Sequence, residues 1–253
     1  QIESWAAENG MPATSIRRWL YNISSRNSVH PFAKYMQIEH WDGVSRLDDW
    51  YATIEVAPEL EQLRNTLMLR WGLSITAAAC TSTGIGARGI LVLQGAQSIG
   101  KSRVLKSWFR DVPGAFLEGA HAKPGDRDNE AELLSHLCVE LGELGATLRK
   151  SDIEALKALV GRQSDTLTLK YDREASTWPR RTVFCGSVNQ SQFLVDATGN
   201  SRFWVLPVKR CRHDHDLQMQ QVWAELHYLL ESGNPYWLDL EESRLLDDRN
   251  ESH

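Results

Sequence analysis

The chain has 253 residues, of which 42% are hydrophobic and 24% are charged, proportions typical of a globular protein with a sizeable core. Its formal net charge of -5 excludes a protein that is basic overall, so any contact with nucleic acid must depend on a local patch. The four cysteines form no C-x-x-C pair, which argues against a zinc site and favours a reducing compartment. We find no apolar run of membrane-spanning length and no signal peptide, so we expect no membrane association.

The first third of the chain predicts helices. Leucines and a tryptophan recur at helical spacing over residues 60–71, and they predict a long helix that ends near Ala79. The segment 82–88 is rich in threonine and glycine and predicts a connector. We therefore expect a small N-terminal helical, collar-like region over residues 1–82 and a second domain over residues 83–253.

The strongest motif follows this connector. Ile90–Leu93 predicts a buried strand, and apolar residues recur at helical spacing from Val104 onward. Between them stands G-x-x-x-x-G-K-S, the sequence of a phosphate-binding loop, hereafter the P-loop (residues 95–102). Its backbone amides and the helix start would face a phosphate, Lys101 would reach the β- and γ-phosphates, and Ser102 would ligate Mg²⁺. The residues predicted to bind ATP are Gly95, Ala96, Gln97, Ser98, Ile99, Gly100, Lys101, Ser102 and Arg103.

ATP hydrolysis needs groups beyond the P-loop, and the later strands offer them. An apolar strand over residues 137–144 ends in Glu140 and Glu143, one of which is predicted to hold Mg²⁺ and polarise the attacking water. Glu143 is slightly favoured because it lies at the end of the predicted strand, and both glutamates stay candidates. Asn189 closes the next buried strand, residues 183–188, and is predicted to sense the γ-phosphate.

A cation is also needed for the charge that develops on the transferred phosphoryl group, and a neighbouring subunit often supplies it. Arg202 is our candidate, and Arg180 and Arg181 are the alternatives. Strands that alternate with helices after residue 89 favour an α/β layered domain.

These pieces, in this order, resemble the virulence-associated protein E family, which comprises P-loop ATPases of phages and mobile elements related to superfamily 3 helicases. The resemblance covers roughly residues 30–250 and is most specific over residues 180–204. The family pattern has two arginines after Thr-Gly-Asn, and here Ser201 replaces the first of them. An arginine is also frequent where Thr168 stands. The matching motifs are residues 30–32, 41–48, 95–102, 140–144, 152–157, 171–173, 180–204 and 221–225.

The resemblance implies an AAA+-like P-loop NTPase, a three-layer α/β sandwich that assembles into a homo-hexameric ring. ATP would bind between subunits, with Arg202 acting across the interface, and single-stranded DNA would pass through the centre. The resemblance also implies a primase domain or partner, a location in the cytoplasm of a bacterial host, and a sequence that is the ATPase part of a longer protein. In superfamily 3 the segment between the acid strand and the Asn strand forms a hairpin facing the pore. There the resemblance places DNA contact at Lys157, Arg162, Lys170, Tyr171 and Arg173.

The leading interpretation is an ATP-dependent DNA helicase motor that acts in replication of a phage or mobile element. A P-loop module that binds ATP as an assembly switch or regulator stays open as an alternative. A P-loop kinase for a small molecule is a third class, for which the sequence shows no obvious acceptor-binding lid.

Overall fold

The computed structural model describes residues 2–12, 16, 19, 30–123, 125–142, 144, 150–167, 176–189 and 202–251. The helices are α1 (Ile2–Glu8), α2 (Pro31–Met36), α3 (Leu47–Tyr51), α4 (Glu61–Cys80), α5 (Lys101–Ser107), α6 (Arg127–Leu134), α7 (Lys150–Val160), α8 (Met219–Glu231) and α9 (Leu240–Glu251), with a 3-10 turn at Pro58–Leu60. The strands are β1 (Ile54–Glu55), β2 (Ile90–Gln94), β3 (Phe116–Ala120), β4 (Cys138–Leu141), β5 (Ser164–Leu167), β6 (Ser176–Pro179), β7 (Val183–Val188), β8 (Phe203–Pro207) and β9 (Arg210–Cys211).

Five strands form one parallel sheet in the order β3-β4-β7-β2-β8. The strand that leads into the P-loop, β2, therefore lies between β7 and β8. Because all five strands run the same way, their carboxyl ends share one edge of the sheet. The chain segments that follow β2, β4 and β7 are brought together at that edge.

Both faces of the sheet are buried, and the two faces belong to two apolar clusters. Leu91 and Leu93 of β2 point into one cluster, together with side chains of α2, α4, α5 and α8. Ile90 and Val92 point into the other, where α6 and α7 cover the sheet. Near-continuous apolar strands are what a parallel sheet with two covered faces requires. The predicted α/β class, a three-layer P-loop NTPase-like fold, is confirmed.

Two short strand pairs lie outside the central sheet. β1 pairs antiparallel with β9, and β5 pairs antiparallel with β6. The expectation of an entirely helical region before residue 82 missed β1, whose two residues pair with a strand far along the chain. The first apolar cluster joins side chains from Phe32 to Leu246, so the core is continuous across the boundary drawn at residue 82. The division into two domains stays a prediction.

Aromatic side chains fill the layer between α2, α4, α5 and α8. The ring of Trp223 lies 5.0 Å from that of Phe32, 5.4 Å from that of Phe109 and 6.1 Å from that of Trp50, measured between centroids. Its indole N–H donates to the carbonyl of Trp108 at 3.0 Å, so the buried polar atom is satisfied. This cluster holds the helical layer against the sheet.

Replacing Trp223 with alanine is expected to lower the free energy of unfolding by about 3–5 kcal/mol, because it leaves a large cavity among these rings. Trp5→Ala is the matched control, since the Trp5 side chain is 71% exposed, and it should stay within about 0.5 kcal/mol. Urea unfolding followed by circular dichroism measures both. Equal losses in the two variants would show that the aromatic cluster does not stabilise the fold.

Candidate nucleotide site

The P-loop has a backbone that accepts only glycine at two points. Gly100 adopts φ of 95° at the start of α5, a left-handed conformation that other residues rarely adopt. At Gly95 an added Cβ would lie 2.6 Å from the carbonyl oxygen of Val208. The glycines of the motif therefore allow the loop to curl tightly against the chain behind it.

The chain behind the loop is the segment 208–211, hereafter the brace. The backbone N–H of Val208 donates to the carbonyl of Gln94 at 2.7 Å, and that of Cys211 donates to the carbonyl of Ile99 at 3.1 Å. The brace thus holds both ends of the P-loop from outside. Its final residues form β9, which pairs with β1.

Lys101 is buried within the loop. Its Nζ donates to the carbonyls of Gly95 at 2.8 Å and Ala96 at 2.7 Å. Burial lowers the pKa of this amine from its usual value. Two of the three ammonium donors are held by these loop carbonyls, and the amine lies inside the curve of the loop, where a phosphate would meet it.

Glu140 meets the P-loop from the neighbouring part of the sheet. The hydroxyl of Ser102 donates to its Oε1 at 2.5 Å, and Ser187 lies beside the same hydroxyl at 3.4 Å. Glu140 is 1% exposed, and burial raises its pKa, opposed by the hydrogen bonds from Ser102 and Ser187. Its buried Oε2 has no hydrogen-bond partner among the described residues.

These oxygens fit a magnesium ion. Mg²⁺ is usually held by one or two protein oxygens together with water and substrate phosphates, and Ser102 and Glu140 offer such a pair. The buried Oε2 of Glu140, which lies near the Ser102 hydroxyl and has no partner among the described residues, is free to ligate such an ion. In the described part of the chain, no group of three or more His, Cys, Asp or Glu side chains could hold a metal by itself.

A cavity of about 330 Å³ opens over this cluster. Asn189 lines this cavity. The preceding residue, Val188, is held beside the P-loop because the N–H of Gly95 donates to the carbonyl of Val188 at 3.1 Å. Sequence reasoning missed Ser187 and Glu118; the position of Ser187, two residues before Asn189, was the only available signal. The other lining residues are Gln97, Ser98, Gly100, Lys101, Ser102, Arg103, Glu118 and Ser187.

Arg202 lies at the opposite edge of the sheet. Its carbonyl accepts from the N–H of Ile90, at the start of β2, whereas the P-loop follows the end of that strand. A five-residue strand spans about 17 Å, so the guanidinium cannot reach the P-loop of its own chain. Arg202 donates instead to the carbonyl of Lys157, at the end of α7.

The remaining predicted residues divide into two groups. Lys157 pairs with Glu154 at 3.0 Å, and Arg162 pairs with Glu130 at 3.0 Å. The others lie outside the described residues: Glu143, Lys170, Tyr171 and Arg173. The choice between the two glutamates and the predicted DNA contacts therefore stay predictions.

Arg180, an alternative candidate for the catalytic cation, is fully buried in an ion pair. Its Nε lies 2.5 Å and its Nη2 2.6 Å from the two carboxylate oxygens of Asp165. The N–H of Arg180 also donates to the carbonyl of Gln163 at 2.9 Å. These contacts fix the base of the β5–β6 hairpin, so Arg180 has a structural role here.

The parallel sheet, with a P-loop at its carboxyl edge and an acid beside the loop serine, defines a protein with a P-loop NTPase-like fold. The chain belongs to the virulence-associated protein E-like domain family, whose model matches residues 36–253. The resemblance drawn from its motifs is thereby confirmed.

Two solved structures of the apo C-terminal region of NrS-1 share the fold. One matches with a TM-score of 0.50 and 14% identity over 84% of this chain, and the other with 0.51 and 12% over 85%. The chain spans only about half of those structures, 50% and 54% of their length. None of the curated proteins matches this chain. Within the described residues, no helix is both long and apolar enough to cross a membrane.

Asp165→Asn is expected to lower the free energy of unfolding by about 3 kcal/mol, because it leaves the charge of Arg180 buried without a counter-ion. The double variant Asp165→Leu with Arg180→Met should lose less, since no buried charge remains. Urea unfolding measures both. A single variant as stable as the unmodified protein would contradict the structural role of this pair.

Proposed function

We propose that this chain is an ATP-dependent DNA helicase motor, related to superfamily 3, that acts in the cytoplasm of a bacterial host to replicate a phage or mobile element. The observation that supports it best is the contact between Ser102 of the P-loop and the buried carboxylate of Glu140. A P-loop alone binds phosphate, whereas a P-loop with an acid at its Mg²⁺ position is built for phosphoryl transfer.

The position of each residue around the P-loop defines its proposed role in ATP hydrolysis. Lys101 binds the β- and γ-phosphates, and Ser102 and Glu140 hold Mg²⁺, which offsets negative charge on the phosphates. Glu143 or Glu140 accepts a proton from the attacking water, and Asn189 orients that water against the γ-phosphate. Lys101, Ser102 and Asn189 follow strands that end at the same edge of the sheet, and Glu140 lies one residue before the end of β4 at that edge.

The cation for the transition state comes from another copy of the chain. Arg202 lies at the far edge of the sheet, beyond the reach of its own P-loop. Copies packed head to tail place the far edge of one against the P-loop of the next, and such heterologous contacts close into rings. A homo-hexameric ring that takes single-stranded DNA through its centre satisfies this requirement, and a primase domain or partner would act beside it.

The β5–β6 hairpin is the proposed DNA-contacting element. Its two strands are joined to each other near the Asp165–Arg180 pair. In the sequence Lys170, Tyr171 and Arg173 lie between these strands, and they would supply positive charge and a stacking ring to DNA.

Lys101→Ala is expected to abolish ATP hydrolysis, because the phosphates lose their cationic donor, and the unmodified protein should hydrolyse ATP faster with single-stranded DNA present. Lys34→Ala, an exposed lysine on α2, is the control. Phosphate release is measured with and without single-stranded DNA, alongside the mass of the assembly. Undiminished hydrolysis in Lys101→Ala would refute the site. Hydrolysis by a monomer without any response to DNA would favour the assembly switch.

Glu140→Gln should reduce kcat by about two orders of magnitude or more while Mg-ATP still binds, because the amide keeps a hydrogen-bond acceptor for Ser102 but loses the charge. Glu132→Gln is the control, since this glutamate lies on α6 away from the cavity. Single-turnover hydrolysis and equilibrium binding of labelled ATP separate the two effects. Wild-type turnover in Glu140→Gln would leave Glu143 as the acid.

A further inference from the structure

A second cavity, of about 440 Å³, lies at the amino edge of the sheet, opposite the P-loop. Its size is that of a small-molecule site. Arg88 and Arg202 line it, together with Gln163, Tyr236 and Trp237, and no carboxylate is present among the described lining residues. Two guanidinium groups without a lining acid favour an anionic ligand. We call it the arginine–tryptophan cavity.

One wall of this cavity is built for a flat ring. The guanidinium carbon of Arg88 lies 5.6 Å from the centre of the Trp237 ring, and Tyr236 meets Trp237 edge-on at 5.0 Å. The Trp237 side chain is nevertheless 40% exposed. An aromatic ring fixed by its neighbours and still open to solvent is a stacking surface for a nucleobase.

The arginine–tryptophan cavity and the cavity over the P-loop are complementary. The cavity over the P-loop has the lysine, the Mg²⁺ oxygens and the acid, and none of its described lining residues is aromatic. The described lining of the arginine–tryptophan cavity has rings and guanidinium groups and no acid. The described lining of the P-loop cavity offers no ring for a base, and that of the arginine–tryptophan cavity offers no P-loop, Mg²⁺ oxygens or acid for hydrolysis. They lie at opposite edges of one sheet, so a single copy cannot join them.

We propose that the arginine–tryptophan cavity receives the base and sugar of the nucleoside triphosphate held by the P-loop of a second copy of this chain. The base stacks on the Trp237–Arg88 pair, and Arg202 faces the phosphates. Arg202 is held in place by its hydrogen bond to the carbonyl of Lys157 and by the absence of a side chain at Gly161, where a Cβ would lie 2.8 Å from Nη1. This inference rests on the proposed function and adds the residues that recognise the base.

Trp237→Ala tests it. We expect the KM for ATP to rise about tenfold or more with little change in kcat, because base stacking binds the ground state and the transition state alike. Trp5→Ala is the matched control, since Trp5 is 71% exposed, lines neither cavity and lies outside the β5–β6 hairpin. Trp237→Phe should restore much of the affinity, which distinguishes lost stacking from a damaged fold.

A ligand without a base gives a sharper measurement. Inorganic tripolyphosphate, used as a competitor of ATP, should inhibit Trp237→Ala and the unmodified protein with the same inhibition constant. A general loosening of the site would weaken tripolyphosphate as much as ATP, and that result would overturn the proposal.

Three further outcomes would also overturn it. An unchanged KM for ATP in Trp237→Ala, while the unmodified protein hydrolyses ATP, leaves the proposed function standing and removes this inference. Loss of single-stranded DNA affinity with an unchanged KM would make the cavity a DNA site. Binding of labelled ATP by monomeric Lys101→Ala would make it an independent site. If the unmodified protein does not hydrolyse ATP, the proposed function fails, and the affinity of Trp237→Ala for labelled ATP decides the inference.

Discussion

Burial of the parallel sheet on both faces is the constraint on which the site depends. β2 is covered by α4 and α8 on one face and by α7 on the other, and it pairs with β7 on one side and β8 on the other. That position places the P-loop next to the ends of two other strands. The contact between Ser102 and Glu140 follows from strand order and direction, and the glycine loop alone would not produce it.

The parts of the site that the sequence predicted are those with a local signal. The P-loop lies between a strand and a helix, and Asn189 closes an apolar run, so both positions follow from spacing along the chain. Which acid meets Ser102 depends on the register between β4 and β7, where Glu140 lies opposite Cys185. Register is a property of the packed sheet, so the sequence, which slightly favoured Glu143, could not show that Glu140 meets Ser102.

The candidate arginines also show that a sequence pattern does not reveal which side chain is neutralised in the interior. Arg180 and Arg202 both flank buried strands, and the sequence kept Arg180 as an alternative to Arg202. Only the fold shows that Asp165 neutralises Arg180 in the interior, while Arg202 lines a cavity. The strand β1 was missed for a similar reason: two residues have no periodicity, and only pairing with β9 makes them a strand. The second cavity combines residues from the connector, the turn after α7, the start of β8 and the segment around the start of α9, which no motif connects.

The brace behind the P-loop has one more consequence. Residues 208–211 hold the loop on one side and pair with Ile54 and Glu55 on the other, and the N–H of Arg212 donates to the carbonyl of Thr53 at 2.8 Å. The N-terminal helices and the phosphate loop therefore share a set of backbone hydrogen bonds. A ligand that orders the P-loop, as proposed for ATP, would therefore also stabilise the N-terminal region, and a change that loosens that region would weaken binding at the loop.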